Sequence, residues 1–537
     1  MPTYLVRLAQ IHESFRLAEL HALAELAGVD KEMEILRYDD DSPYCLISLP
    51  SDTAATQIAT RAMLIQGIYE LWGEGPDYAA LHANIKTTTS HQWDRYANST
   101  FSFRVERYRG LQPPAAQIAA TINSFAYLGF KGKVQMKDPE AKFRVFEFYT
   151  LDGKEPTYVY LGRRVAESGR DAKSTYDLKK RHYISTTSMD AELALLTANI
   201  ALAGPGKLFY DPFMGTGGFP LACAHYGAVV TGSDIDGRSI RGSGGSARRG
   251  QTGPKNVGMN FEQYGTQGLY LGGFVSDLTN TPLRLHGPAA GDGQAGRNAE
   301  VAPYLDGIVC DPPYGIREGL KVLGTRDPLQ PEERANHAAT WQTAGYLPPK
   351  RPYSFTALLD DILAFAVLTL VPGGRLSMWL PTANDADVAL IIPSHPCLEL
   401  KSVCVQPFNK WSRRLLTYRR LADAEVDQEA LAALKAAQRE YETGTRASDL
   451  NEFRRKYFDG FRGFEDMKKE FVRMKVDAGI KQAEAEAEAE LIAETQESAG
   501  EKAQTAKQEV EDAVKAEEAA AAKAEELNKR FGVEGAT

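Results

Sequence analysis

Asp311-Pro312-Pro313-Tyr314, which closes the apolar run Tyr304 to Cys310, has the sharpest chemical content in the chain. Two prolines cannot donate ladder hydrogen bonds, so a buried strand ending in Ile308-Val309-Cys310 must stop there, with φ fixed at both. A rigid corner of this kind sets Asp311 and Tyr314 at the carboxyl edge of a sheet, where open α/β sheets bind ligands. A carboxylate, carbonyls without local partners and an aromatic face suit an exocyclic amine on a flat base. The carboxylate or the Pro312 carbonyl accepts from the NH2 while Tyr314 stacks on the ring. Asp311, Pro312, Pro313 and Tyr314 are therefore the candidate catalytic residues. The same tetrapeptide also suits a tight turn capped by a tyrosine, and the rest of the chain must separate the two.

A second constellation lies upstream. The short strand Lys207 to Tyr210 opens into Asp211-Pro212-Phe213-Met214-Gly215-Thr216-Gly217-Gly218, and the next strand, Ala228 to Ser233, ends at Asp234-Ile235-Asp236. Asp234 follows Asp211 at about the spacing at which a Rossmann-like βαβ unit places its ribose-binding acid, and the glycines admit a ligand to the backbone. No Lys-Ser/Thr follows the glycines, Pro220 stands where a dinucleotide fingerprint wants glycine, and an acid at the loop entrance opposes a pyrophosphate. An acid suits a cationic ligand, so the loop fits S-adenosylmethionine, whose amine and ribose hydroxyls both favour carboxylates. The third strand, Gly268 to Ser276, ends at Asp277, placed to meet the adenine amine. Thr187 and Ser188, at a hydroxyl-rich helix entry, can bind the cofactor's carboxylate; Ala191 rules out a capping box from Ser188, although Ser188 and Asp190 are both natural helix starters. The cofactor set is thus Thr187, Ser188, Asp211, Pro212, Phe213, Gly215, Thr216, Gly217, Asp234, Asp236 and Asp277.

The elements that must position these groups follow from periodicity. Strands are expected at 4–8 and 44–49, with helices at 15–27 and 52–65, giving an α+β unit over 1–90. Residues 91–190 add strands at 101–107, 143–149 and 158–165 and a helix within 112–128, with arginines and lysines interleaved among aromatics in the manner of a phosphate-tracking surface. Residues 191–422 repeat strand, glycine or acidic turn, and helix. The fold class is therefore α/β, with a Rossmann-like sheet preceded by α+β units. A charged, aromatic helical extension spans 423–483, and an acidic Ala/Glu-rich tail spans 484–537. The Gly/Ala-rich loop near 285–297 has the composition of disorder.

At 537 residues the chain should hold two or three domains. Its net charge of −9 is concentrated between Glu484 and Leu527, where fourteen acids face four lysines. The remainder is close to neutral and free to carry a nucleic-acid face. No apolar run approaches a bilayer span, and the N-terminus lacks a signal-peptide pattern. Five cysteines with no paired spacing point to neither a zinc site nor a disulfide framework, so a reducing compartment is expected.

Several motifs together resemble one family. Tyr176-Asp177-Leu178-Lys179-Lys180-Arg181, TSMDAELA at 187–194, DPFMGTGG at 211–218, SDID at 233–236, DPPYGIREG at 311–319 and KWSRRLLTYRR at 410–420 look like the catalytic subunit of the eukaryotic tRNA guanosine N2-methyltransferase acting on position 10. DPPY alone is shared with N6-adenine and N4-cytosine methyltransferases, whereas its combination with TSMDAELA and the basic cluster is specific. The resemblance implies a ferredoxin-like unit at 1–90, a THUMP domain at 91–190 and a methyltransferase domain at 191–422. It implies tRNA as substrate, a cytoplasmic enzyme, and a heterodimer with a small zinc-binding activator subunit on the edge strand near Tyr270–Val275. Lys179, Lys180, Arg181, Arg163, Arg164, Lys410, Arg413 and Arg414 are the expected RNA contacts. The Gly/Ala-rich loop and the acidic tail depart from the family pattern. An N6-adenine or N4-cytosine methyltransferase, or a non-catalytic RNA-binding subunit, remains the alternative.

Overall fold

The computed structural model describes residues 1–151, 153–242, 246–247, 255–285, 302–316, 319–324, 349–383, 392–408, 411–437, 441–442 and 446–459. Lys410, nearly all of the 285–297 loop and the tail from 484 lie outside them.

The first half is built on one seven-stranded sheet. Its strands are β1 (Thr3–Leu8), β2 (Glu34–Arg37), β3 (Tyr44–Ser48), β4 (Ile65–Gly75), β5 (Phe101–Tyr108), β6 (Ala141–Phe148) and β7 (Tyr158–Glu167), in the order β2-β3-β1-β4-β7-β6-β5. The sheet therefore runs unbroken across residue 90, because β4 pairs with β1 on one side and β7 on the other. The expected helix from Asp52 stops at Arg61, and Ile65 already begins β4. Gly73 of β4 lets the helix Tyr78–Thr88 sit directly on the strand, since a Cβ there would lie 2.4 Å from Ile85.

The second half is a seven-stranded sheet of β8 (Leu208–Asp211), β9 (Val229–Asp234), β10 (Tyr270–Val275), β11 (Leu305–Cys310), β12 (Leu370–Ala383), β13 (Leu398–Pro407) and β14 (Trp411–Arg420). Its order is β10-β9-β8-β11-β12-β14-β13, parallel from β10 to β12, with β14 antiparallel to both of its neighbours. This is an open Rossmann-like sheet whose order reverses beside β8, between β8 and β11, so a cleft opens at their carboxyl ends. Fully buried Val230, Ile308, Leu376 and Leu416 fill its core, as expected for strands covered on both faces.

The two sheets are joined by buried polar contacts. The fully buried Glu19 accepts from the Met63 and Leu64 N–H groups (both 2.7 Å) and from Asn199 Nδ2 (2.8 Å). Arg61 donates to Asn199 (2.9 Å) and to the Ala203 carbonyl (2.7 Å). Ser14 Oγ both donates to the Val405 carbonyl and accepts the Val405 N–H, which occupies backbone groups of the edge strand β13. The opposite edge, β10, shows Leu271 65% and Val275 50% exposed. Among the described residues no helix is long and apolar enough to cross a membrane.

Candidate active site

Three carboxyl groups converge at the order reversal. Asp211 is the last residue of β8 and is 1% exposed. Its Oδ1 accepts the Phe213 N–H at 2.9 Å, which folds Pro212 and Phe213 into a tight turn. Burial pushes the Asp211 carboxyl well above its ordinary range; the Phe213 N–H opposes this, and the charges of Asp234 and Asp311 add to it. Asp234 ends β9 and accepts the N–H groups of Gly215 (2.9 Å) and Asp236 (2.7 Å), tying the second strand to the glycine loop. Gly217 has φ +81°, a conformation that disfavours any side chain, and a Cβ there would lie 2.8 Å from Val257. A buried carboxyl whose pKa is pushed up, beside two other acids and a glycine loop, is relieved by an incoming ammonium group, so these residues fit S-adenosylmethionine.

The hydroxyl-rich segment reaches the same loop. Ser188 Oγ lies 3.0 Å from Thr216 Oγ1 and accepts the Ser185 N–H, and the exposed Thr187 hydroxyl lies 3.3 Å from that of Ser185. Asn260 holds the two pieces together, donating to the carbonyls of Tyr183 (2.8 Å) and Thr216 (3.1 Å). Asp190, not Ser188, caps the following helix, Ala191–Ile200.

Two of the expected cofactor acids are engaged elsewhere. Asp236 caps the short helix Gly237–Arg241 and pairs with Arg238 at 2.6 Å; hydrogen bonding to Arg238 holds its carboxyl below the ordinary range. Asp277 is buried and uses both oxygens within the protein. It accepts from the Thr279 N–H and hydroxyl (each 3.0 Å) and from the Leu323 N–H (2.8 Å), which ties the end of β10 to the small hairpin of 321–323 and 350–352.

At the Asp311-Pro312-Pro313-Tyr314 corner the Tyr314 hydroxyl donates to Asp311 Oδ1, and Arg413 Nη1 stands 4.0 Å from Oδ2. Burial, and then the Asp311 charge, raises the Tyr314 hydroxyl well above its ordinary range. Trp411 and Phe453 meet the Tyr314 ring edgewise, with centroids at 6.2 and 6.5 Å, and Phe408 stacks on Trp411 at 4.6 Å. Tyr314 is thus one wall of an aromatic nest and is anchored at its hydroxyl to Asp311.

The expected RNA contacts divide. Lys179 and Lys180 are exposed, although Lys180 Nζ also donates to the Ser174 carbonyl. Arg164 pairs with Glu167 and lines a cleft of about 290 Å³ together with Arg104, Lys137, Lys142 and Arg144. Four others are buried or engaged within the protein. Arg181 is 1% exposed beneath the glycine-loop helix Gly218–His225, and burial lowers its pKa. Arg414 is 6% exposed, and its Nε and Nη1 have no hydrogen-bond partner among the described residues. Arg163 pairs with the exposed Asp52, at the start of the helix Asp52–Arg61, and with Glu70 of the neighbouring strand β4, both at 2.7 Å. Arg413 lies over Trp379 and Phe408, donates to Gln406 and faces Asp311, so it belongs to the catalytic corner. A run of arginines in sequence does not say which of them the fold buries. Asn451 and Arg454, which bond the corner's backbone from far downstream, carry no motif that sequence reading could have found.

A family profile described as "Tmrp11 THUMP N-terminal domain" matches residues 2–170. The chain is 43% identical over 430 residues to the tRNA (guanine(10)-N(2))-methyltransferase of Saccharomyces cerevisiae, covering 78% of this chain and 93% of that protein. It is 33% identical to the tRNA (guanine(10)-N(2))-methyltransferase TRMT11 of Homo sapiens, over 85% of this chain and 95% of the other. Among solved structures, TrmN from Thermus thermophilus aligns with 78% of this chain and 100% of its own, at 16% identity and a TM-score of 0.36.

Proposed function

The chain belongs to the tRNA (guanine(10)-N(2))-methyltransferase family, and from that premise we propose that it transfers a methyl group from S-adenosylmethionine to the N2 amine of guanosine 10 in tRNA. The observation that carries this reading is the meeting of Asp211, Asp234 and Asp311 at the carboxyl ends of three adjacent strands, where the sheet order reverses.

Bound there, the cofactor supplies an electrophilic methyl group. Asp211 would hold its ammonium, Asp234 its ribose hydroxyls, and Ser188 and Thr216 would present hydroxyls to its carboxylate. The guanine is extruded into the corner, where Asp311 and the Pro312 carbonyl accept from the N2 amine and aim its lone pair. Tyr314, within the nest of Trp411 and Phe453, holds the ring plane. As the N–C bond formed, the methyl–sulfur bond would break and its electron pair would stay on sulfur, so the cofactor would leave as a neutral thioether. The methylated amine, now cationic, would then give its proton to the Asp311 carboxylate or to water, so no strong base is needed. Arg413 holds positive charge near Asp311, with Nη1 4.0 Å from its carboxylate.

Residues 1–190, with the basic cleft at Arg104, Lys142, Arg144 and Arg164, support a reading as the tRNA-gripping part, together with Lys179 and Lys180. The exposed edge strand β10, with Leu271 and Val275 outward, suits strand addition by the small zinc-binding activator subunit. Free, buried thiols suit a cytoplasmic location. Replacing Asp311 with Ala should leave cofactor binding measurable and abolish methylation; full activity in that variant ends this reading.

A further inference from the structure

β11 ends at Cys310, so the loop that follows the two prolines lies beyond the sheet ladder. Its carbonyls are taken up by a segment 137 positions downstream. Asn451 Nδ2 donates to the Tyr314 carbonyl at 3.0 Å. Arg454 Nη1 donates to the carbonyl of Gly315 and to that of Ile316 (3.3 Å). Asn451 is fully buried, and its Oδ1 accepts the Arg454 N–H at 2.9 Å, capping the helix Glu452–Asp459. The preceding residue, Leu450, accepts the Phe355 N–H at 2.9 Å, and the buried Phe453 closes the nest against Tyr314 and Trp411. Gly315 has φ +77°, and a Cβ there would lie 2.6 Å from Asn451 Nδ2, so the two backbones approach as closely as glycine allows.

A helix that merely covered an apolar patch would bind through its side chains to side chains. Here the bonds go to three successive main-chain carbonyls of the catalytic loop, and those bonds fix the loop's shape. We infer that Asn451 and Arg454 are positioning residues for the reaction, and that the active site is completed by residues 450–454. The inference rests on the reading of Asp311 and Tyr314 as the groups that hold the amine. A displaced loop would leave the cofactor acids on β8 and β9 in place while misaligning Asp311.

The test uses the full chain with its activator subunit. Asn451→Asp keeps an oxygen to cap the helix and removes the donor, whereas Asn451→Ser keeps a cap and loses the reach. Arg454→Ala removes the fork, and Arg454→Lys retains charge with a single donor group. The readouts are single-turnover methyl transfer to an unmodified tRNA, the Kd for S-adenosylhomocysteine by calorimetry, the Kd for tRNA by filter binding, and the thermal midpoint. The single-turnover rate is expected to fall about 10- to 100-fold in Asn451→Asp, Asn451→Ser and Arg454→Ala, as for a reacting group moved by about an ångström. Both Kd values should stay within about twofold of wild type, and Arg454→Lys should recover part of the rate. Rates within about twofold of wild type overturn the inference, as does a rate loss matched by lost cofactor binding in a folded variant. If the Asn451 variants do not fold, the two Arg454 variants, which leave the cap intact, decide the question. Asp311→Ala run alongside separates the two claims: an active Asp311→Ala sinks the reading of the corner, whereas a dead one beside normal Asn451 and Arg454 variants sinks only this inference.

Discussion

Asp211→Asn separates what the cofactor needs from what the free protein tolerates. In the free protein the Asp211 carboxyl is fully buried, receives one N–H from Phe213 and feels two neighbouring acids, so its pKa is pushed well up, first by burial. An acid whose folded pKa is raised favours folding at low pH. That contribution is lost as pH rises from the ordinary Asp range through the raised folded value. Asparagine keeps an oxygen for the Phe213 N–H and cannot ionise. The variant without ligand should therefore be at least as heat-stable as wild type near neutral pH, and the wild type's decline with rising pH should be absent from it. Cofactor binding should move the other way. A charge-assisted hydrogen bond contributes about 1.5–3 kcal/mol, so losing it should weaken the Kd for S-adenosylhomocysteine about 10- to 150-fold. Scanning fluorimetry across pH and calorimetry with S-adenosylhomocysteine read the two effects. An unchanged Kd in Asp211→Asn would refute the assignment of this acid to the cofactor's ammonium.

Two further outcomes follow from the fold. Glu19→Ala strands three buried donors, at Met63, Leu64 and Asn199, at about 1–3 kcal/mol each, so the thermal midpoint should fall by an amount corresponding to about 3 kcal/mol or more. Glu19→Gln should cost less but not recover fully, because its NH2 must face one of those donors; wild-type stability in Glu19→Ala would show that the contact contributes nothing. Leu271→Arg and Val275→Glu alter side chains that are already exposed, so the isolated chain should fold normally while co-purification with the activator subunit is lost. Undiminished pairing in both variants would move the partner off β10.

Much of the second sheet was legible because β8, β9, β10 and β11 each announce themselves twice, by an apolar run and by the acid at or just beyond the strand's end, whereas β12 runs on through Pro381 to Ala383. Asp211, Asp234 and Asp311 could be placed at strand ends from the sequence, whereas the edge position of β10 came only from the family resemblance. The first sheet was less legible. β4 carries Gly67, Glu70, Gly73, Glu74 and Gly75 and shifts register twice against β7, which erases the alternation by which a strand is recognised. Its glycines answer to neighbours distant in sequence, such as Ile85, and no local pattern records that. Arg181 and Arg414 misled for a related reason: charge predicts exposure only on average, and both are buried. Asp277 kept its predicted place while taking on backbone partners that only the hairpin at 321–323 reveals. The contact between Asn451 and Tyr314 joins residues 137 apart with no shared motif, and composition records there only a charged, aromatic helical extension.

The central claim is tested most directly by the modified nucleoside itself. An unmodified tRNA transcript is incubated with methyl-labelled S-adenosylmethionine and the chain, with and without the small zinc-binding activator subunit, then digested and mapped by mass spectrometry. The account predicts label in N2-methylguanosine at position 10 of the tRNA, dependent on Asp311. Label in N6-methyladenosine or N4-methylcytidine, or no transfer with both subunits present, would contradict it.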